Sequence, residues 1–242
     1  AVLARVRPGT QAWLWGEGTA PSLPPARDLW GGDGAVVAAV DLVRGIARLA
    51  GLEVLDVPGA TGGLDTDYGA KARAALAALE RHDLVWVHVE APDEAAHMGD
   101  VAGKVRAIER VDAEILGPLL ASPRRPAVLV VPDHLTPLRT RTHAHGPVPF
   151  AVGGPGAAAG AAAGQGAAPA AANPGAGPGG AAPAAGTGTA DRAAGEPAEA
   201  LVAAARAGRF RAAAFSEAGA AATGLALPDG RALVRLFLAL SG

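Results

Sequence analysis

The chain has 242 residues, half of them hydrophobic, and a formal net charge of −2, so a sizeable core can form and no run of Lys or Arg is present to follow a nucleic-acid backbone. With zero cysteines, disulfides, iron–sulfur clusters and thiolate zinc sites are excluded, and any metal must sit on oxygen and nitrogen ligands. No stretch approaches about 20 apolar residues free of Gly, Pro or charge, and the N-terminus lacks the charged-then-apolar order of a signal peptide, so the expectation is a soluble, cytoplasmic protein with no membrane partner.

In chain order, short apolar runs alternate with helical patterns over the first 150 residues, which predicts an α/β fold with a largely parallel sheet flanked by helices. Strands are expected at about Ala35–Val40, Glu53–Val57, Leu84–Val89, Ala127–Val131 and Pro149–Val152. Helices fit between them: Leu42–Ala50 stopping at Gly51, Asp67–Arg81 with acid at its start, and Val101–Leu120. From Ala151 to Ala190 there is no charged residue, and an Ala/Gly/Pro composition of this kind resists regular structure. Helical patterns return at Pro197–Ala207, at Glu217–Thr223 behind a capping Ser216, and at Asp229–Leu240. The division expected is a partial core over 1–152, a low-complexity insertion over 153–195 in a surface loop, and a C-terminal part of the same core over 196–242. Long loop insertions cost little closure entropy.

Chemistry in open α/β sheets collects at the carboxyl ends of strands, and three polar clusters lie at sheet edges: Asp93 with His97 and Asp133 with His134 after strands, and His143 with His145 just before the Pro149 strand. Asp93 and His97 are four apart, so one helical turn aims a carboxylate and an imidazole the same way. Adjacent Asp133 and His134 after an apolar strand can serve one cation or two. Four of the chain's six histidines fall in these loops. Mixed carboxylate and imidazole ligands suit Mn, Zn or Fe, and a pair of such ions clamps the oxygens of a transferring phosphoryl group. For Asp93 and His97 taken alone the alternative is a helix-start acid and a surface histidine, and for the three clusters together it is chance clustering.

The stretches Val87–His97, Lys104–Asp112, Pro132–Pro137 and His143–Phe150, with Trp13–Gly18 and Val57–Tyr68 upstream, resemble the archaeal-type cofactor-independent phosphoglycerate mutases of the alkaline phosphatase superfamily. The likeness covers about 1–153 and, more faintly, 213–240. It implies an alkaline-phosphatase-like α/β fold and interconversion of 3-phosphoglycerate and 2-phosphoglycerate through a phosphoserine, in glycolysis and gluconeogenesis. It also implies two divalent ions, manganese first, with zinc, cobalt and magnesium as alternatives. Asp93, His97 and His143 match the ligands of one ion, and Asp133 and His134 match two ligands of the other; His145 ranks below His143.

The family completes the second site with an Asp in its first strand and a nucleophilic Ser, and neither has a counterpart here. The serines are Ser22, Ser122, Ser216 and Ser241, and none stands in the family's Gly-Ser-Asp context. Together with a first residue that is Ala rather than Met, this gives the expectation of an N-terminally truncated piece, inactive alone; Met removal before Ala is the plainer alternative. The partner implied is a small phosphorylated substrate, with Arg44 as a substrate-binding candidate, Arg139 and Arg141 equally ambiguous, and oligomerisation open. Competing readings are a phosphatase or phosphotransferase of the same superfamily and a non-catalytic metal-binding remnant.

Overall fold

The computed structural model describes residues 18–154 together with 162–167, 226–227, 233–234 and 237–238. Three short apolar runs, β1 (Gly34–Val37), β2 (Glu53–Leu55) and β3 (Leu84–Val87), form a parallel sheet in the order β2-β1-β3. Ala35 stands opposite Glu53 on one side and Val85 on the other, and Val37 opposite Leu55 and Val87. All four residues of the central strand are buried, as a parallel strand covered on both faces requires.

A one-turn helix, α1 (Arg27–Trp30), precedes β1 and is too short to leave a sequence periodicity. Next comes α2 (Asp41–Leu49), which ends before Gly51, whose φ of +76° lies in the left-handed region that favours glycine. The third helix, α3 (Tyr68–Ala78), starts where the Asp67 side chain accepts the Ala70 amide at 2.7 Å. It ends earlier than the expected Arg81.

After β3, α4 (Ala91–Met98) carries Pro92 in its first turn and stops at Gly99 with φ +73°. The helix expected over Val101–Leu120 is α5 (Val101–Arg110), a π-helical turn (Val111–Leu116) and α6 (Gly117–Ala121) in succession. The Gly117 amide reaches back five residues to the Asp112 carbonyl, and Pro118 follows with no amide to offer the regular ladder.

Side chains of the parallel sheet alternate between two layers. On one face Val36 and Ala38 pack with Ala47 of α2, and Val43, Leu52 and Val54 lie against them. On the other, Val85, Val87 and Val89 meet Tyr68, Ala72 and Ala75 of α3, with Ala91, Ala107, Ile115 and Leu119 from the later helices. The many alanines let these helices approach closely. Trp86, on the α2 face of the edge strand, is 55% exposed.

The parallel expectation does not extend to the second sheet, which runs β4 (Val128–Val130), β5 (Pro147–Gly153), β6 (Ala162–Ala167), β7 (Ala226–Leu227) in that order. Here β5 is antiparallel to both β4 and β6, and β6 is parallel to β7. The reason is the connection: residues 131–146 form a loop with no crossover helix, and a parallel pair needs a crossover. Strand β6 lies inside the Ala/Gly/Pro-rich segment, where pairing uses only backbone groups. The expected helices at Pro197–Ala207 and Glu217–Thr223 lie outside the described residues. Within the expected Asp229–Leu240 helix, Leu233 and Phe237, four apart, are both buried. Among the described residues no helix is long and apolar enough to cross a membrane.

Candidate metal centre

Both sheets deliver polar residues from the carboxyl ends of their strands. The β3 ladder continues to His88, whose amide donates to the Val37 carbonyl at 2.8 Å, and the chain then turns into α4 with Asp93 and His97 one turn apart. Strand β4 leads into Asp133 and His134. The loop beyond is closed by a bridge between Leu135 and Ala144, with the Ala144 amide on the Leu135 carbonyl at 2.9 Å. That antiparallel register sets His143 across from Thr136.

His97 Nε2 lies 3.1 Å from Asp93 Oδ2 and 3.2 Å from His143 Nε2, and His143 Nε2 lies 3.7 Å from Asp93 Oδ1. The His134 ring stacks on that of His143 with centroids 3.8 Å apart. One donor atom each from Asp93, His134 and His143 falls within 4.8 Å of the others, a grouping that can hold a metal ion. Asp133 touches only this cluster's edge: its carboxylate accepts the His134 amide at 3.0 Å and approaches His134 Nε2 at 3.4 Å. His145 is exposed. The expected partition into a set of Asp93, His97 and His143 and a set of Asp133 and His134 is thus drawn together around His143.

Hydrogen bonds behind these side chains select their tautomers. His97 Nδ1 donates to the Arg141 carbonyl at 2.9 Å, which leaves Nε2 with a lone pair toward the cluster. Arg141 holds that carbonyl with a φ of +55°, a left-handed conformation uncommon for a residue with a side chain. Thr136, 6% exposed, donates its hydroxyl proton to Asp93 Oδ1. Its oxygen therefore accepts from His134 Nδ1 at 3.2 Å, so His134 also presents Nε2. Oxygen and imidazole donors with no sulfur fit Mn, Zn or Fe.

Residues that the metal pattern leaves out surround the cluster. His88 is pushed down in pKa by burial, with the carboxylates of Asp133 and Asp93 opposing. Glu90 is pushed up, first by burial and then by Glu94 and Asp93. Its carboxylate lies so close to Gly62 that a Cβ there would meet Oε2 at 2.5 Å. Lys71, 1% exposed, donates to the carbonyls of Thr61 and His88, both at 3.2 Å, and burial pushes its pKa down. Lys104 donates to the Thr136 carbonyl at 3.0 Å. The available signal was positional for His88 and Glu90, which follow β3 directly, and compositional for the lysines, which are only two.

Arg44 sits apart from the cluster, beside an open cleft of about 340 Å³ at the ends of β1 and β2, lined by Ala38, Ala39, Asp56, Val57, Pro58 and Ala60. Its guanidinium donates to the carbonyls of Ala38 (3.1 Å) and Leu55 (3.3 Å) and pairs with Asp56. That pairing holds the Asp56 carboxyl below its ordinary range.

The chain spans about two fifths of the length of the curated relatives it matches. It is 52% identical over 155 residues to the 2,3-bisphosphoglycerate-independent phosphoglycerate mutase of Methanothrix thermoacetophila, covering 62% of this chain and 40% of that one. Over 148 residues it is 51% identical to the probable enzyme of the same name from Geobacter sulfurreducens, covering 60% and 37%. Among solved structures, the PH0037 protein from Pyrococcus horikoshii superposes with a TM-score of 0.52 at 33% identity, covering 54% of this chain and 40% of that one. The model of the metalloenzyme superfamily matches residues 7–172. A metal-type donor cluster at the strand ends and a family match over most of the chain agree: the chain belongs to the metalloenzyme superfamily.

Proposed function

We propose that the chain carries the metal-binding share of a 2,3-bisphosphoglycerate-independent phosphoglycerate mutase, which interconverts 3-phosphoglycerate and 2-phosphoglycerate. The observation that carries this reading is the convergence of Asp93, His134 and His143, with His97 in contact, in a chain that is 52% identical over 155 and over 152 of its residues to two enzymes of that name. Asp93, His97 and His143 are assigned to one divalent ion and Asp133 and His134 to a second, with manganese the first choice. Bound ions of this kind polarise phosphoryl oxygens and lower the pKa of an attacking hydroxyl. The chain's own residues orient the donors: Arg141 and Thr136 fix the two imidazole tautomers, and Thr136 also fixes the Asp93 carboxylate.

A small phosphorylated substrate fits the site once divalent cations offset its carboxylates, and the setting is the cytoplasm. Arg44 binds its phosphate by exchanging Asp56, whose side chain is 86% exposed, while keeping its two carbonyl bonds; guanidinium takes phosphate as readily as carboxylate. By this reading residues 153–195 are an insertion between two parts of one core, 1–152 and 196–242, and its stretch Ala162–Ala167 adds a strand to the second sheet. Phosphoryl transfer by this reading uses a serine acceptor. Ser22 and Ser122 lie outside the cluster's contacts, and Ser216 and Ser241 fall outside the described residues. None of the four stands in the Gly-Ser-Asp context that the resemblance implies for the nucleophile, and by this reading the 242 residues bind metal without turnover. Purified chain is titrated with Mn²⁺ and assayed with 3-phosphoglycerate: binding without conversion is expected. Conversion abolished by His97→Ala overturns the inactivity, and absence of Mn²⁺ binding overturns the metal assignment.

A further inference from the structure

The chain holds 19 arginines and only two lysines, Lys71 and Lys104. The arginines whose pairs are closest go to carboxylates: Arg44 to Asp56, Arg81 to Glu53, Arg110 to Glu114 and Arg124 to Glu80. Among the described residues neither lysine forms an ion pair. Both ammonium groups donate instead to backbone carbonyls, and each of those carbonyls belongs to a segment of the metal centre or the loop beside it.

We propose that Lys71 and Lys104 are positioning residues of the metal centre, Lys71 pinning the exit of β3 that leads to Asp93 and Lys104 pinning Thr136 between Asp93 and His134. This rests on the metal assignment above. His88 is held on both sides, its amide on the Val37 carbonyl and its own carbonyl under Lys71, so the turn into α4 starts from a fixed point. Lys71 also ties Thr61, whose loop is cross-linked by Thr61 amide to Thr66 Oγ1 at 3.0 Å and Thr61 Oγ1 to Asp65 Oδ1 at 2.8 Å. Lys104, on α5, reaches the carbonyl of the one threonine that orients both the Asp93 carboxylate and the His134 ring.

A buried ammonium such as that of Lys71, which feels the Glu90 carboxylate but makes no direct ion pair with it, is a poor choice for stability alone, since an apolar side chain of similar volume avoids the desolvation cost. Its use here follows from geometry. Single carbonyls call for a compact group with rotatable N–H donors, whereas the flat guanidinium fork matches carboxylates. Where arginines of this chain reach carbonyls, as Arg44 and Arg110 do, they pair with a carboxylate as well; the two lysines bind carbonyls alone.

The test compares the parent chain with Lys71→Met, Lys104→Met, Lys104→Arg and, as control, Arg106→Met on the exposed side of α5. Mn²⁺ affinity, the visible spectrum of bound Co²⁺ and the metal-free melting temperature are measured. Loss of a group that orients ligands costs about 10- to 100-fold in metal affinity. That loss is expected for both Met variants, with a changed Co²⁺ spectrum and no rescue in Lys104→Arg, while Arg106→Met binds as the parent does. Folded Met variants with parental affinity and spectrum overturn the proposal. If Lys71→Met does not fold, Lys104→Met, whose ammonium is only partly buried, decides. A parent chain that binds no Mn²⁺ overturns the metal assignment and this proposal with it, a result distinct from equal binding by parent and variants.

Discussion

At the amino ends of β1, β2 and β3 stand Asp33, Glu53 and Asp83 with His82; beyond the carboxyl ends of β3 and β4 stand Asp93, His97, Asp133 and His134, with His143 from the loop before β5. The residue types are the same, but the two groups are wired differently. At the amino end Glu53 accepts two bonds from Arg81, at 3.1 and 3.2 Å, and lies 2.6 Å from His82 Nε2, contacts that hold its carboxyl below the ordinary range, His82 first. His82 Nδ1 faces Asp33 at 3.3 Å, and Asp83 accepts the Asp33 amide at 3.1 Å. At the carboxyl end the side chains within 4 Å of the Asp93 and Asp133 carboxylates that could carry positive charge are, among the described residues, all histidines, which as neutral rings can serve a cation together with the acids. The lysines close by bind carbonyls instead. One end closes on itself; the other gathers negative charge and lone pairs that an added cation satisfies.

The largest effect expected from this contrast is in metal affinity. Asp93→Asn removes a direct donor and lowers Mn²⁺ affinity by more than about 100-fold, beyond the loss from an outer partner; isothermal titration measures it. His82→Gln at the other end leaves that affinity unchanged and lowers the melting temperature. Equal affinity in parent and Asp93→Asn would break the comparison. Next in size is the stabilisation by metal. Mn²⁺ at about 100 times its dissociation constant adds roughly 2.7 kcal/mol, which for a domain of this size raises the melting temperature by roughly 5–10 °C. Chelation reverses the rise, His82→Gln retains it, and Asp93→Asn lacks it.

How much of this was legible in the sequence follows from what each feature depends on. Apolar runs and their stops are local, so β1, β2, β3 and the Gly51 stop of α2 were readable, as were Asp93 and His97 on one turn. The antiparallel second sheet was not, because pairing direction depends on what connects β4 to β5, and a run such as Val128–Val130 carries no sign of its neighbour's direction. The π-helical turn was masked by an unbroken apolar pattern through Val111, Ile115 and Leu119. Asp133, His134 and His143 could be grouped from their places at strand ends. The stacking of His134 on His143 depends on the Leu135–Ala144 bridge, a long-range contact. Thr136 has no metal-type chemistry and is found only through its bonds to two ligands.

The smallest effects sharpen the contrast through pH in the metal-free chain. Glu90 has a raised pKa, so the fold favours its protonated form; that contribution is present at low pH and lost as pH rises through the raised value. Glu90→Gln therefore gives a small gain in melting temperature at neutral pH and none in acid. His88 runs the other way. Burial depresses its pKa below 6.5, so the fold holds a neutral imidazole, and its contribution is intact above that pH and lost as pH falls toward and through the depressed value. One proton sets the ceiling on this loss at about 1.4 kcal/mol per pH unit. Melting curves from pH 8 to pH 5 should therefore fall less steeply for His88→Gln than for the parent, with the two diverging only below about pH 6.5. Parallel curves would show that burial of His88 contributes nothing to acid sensitivity, and the inner wall of the metal site would then be more open to water than the burial of His88 implies.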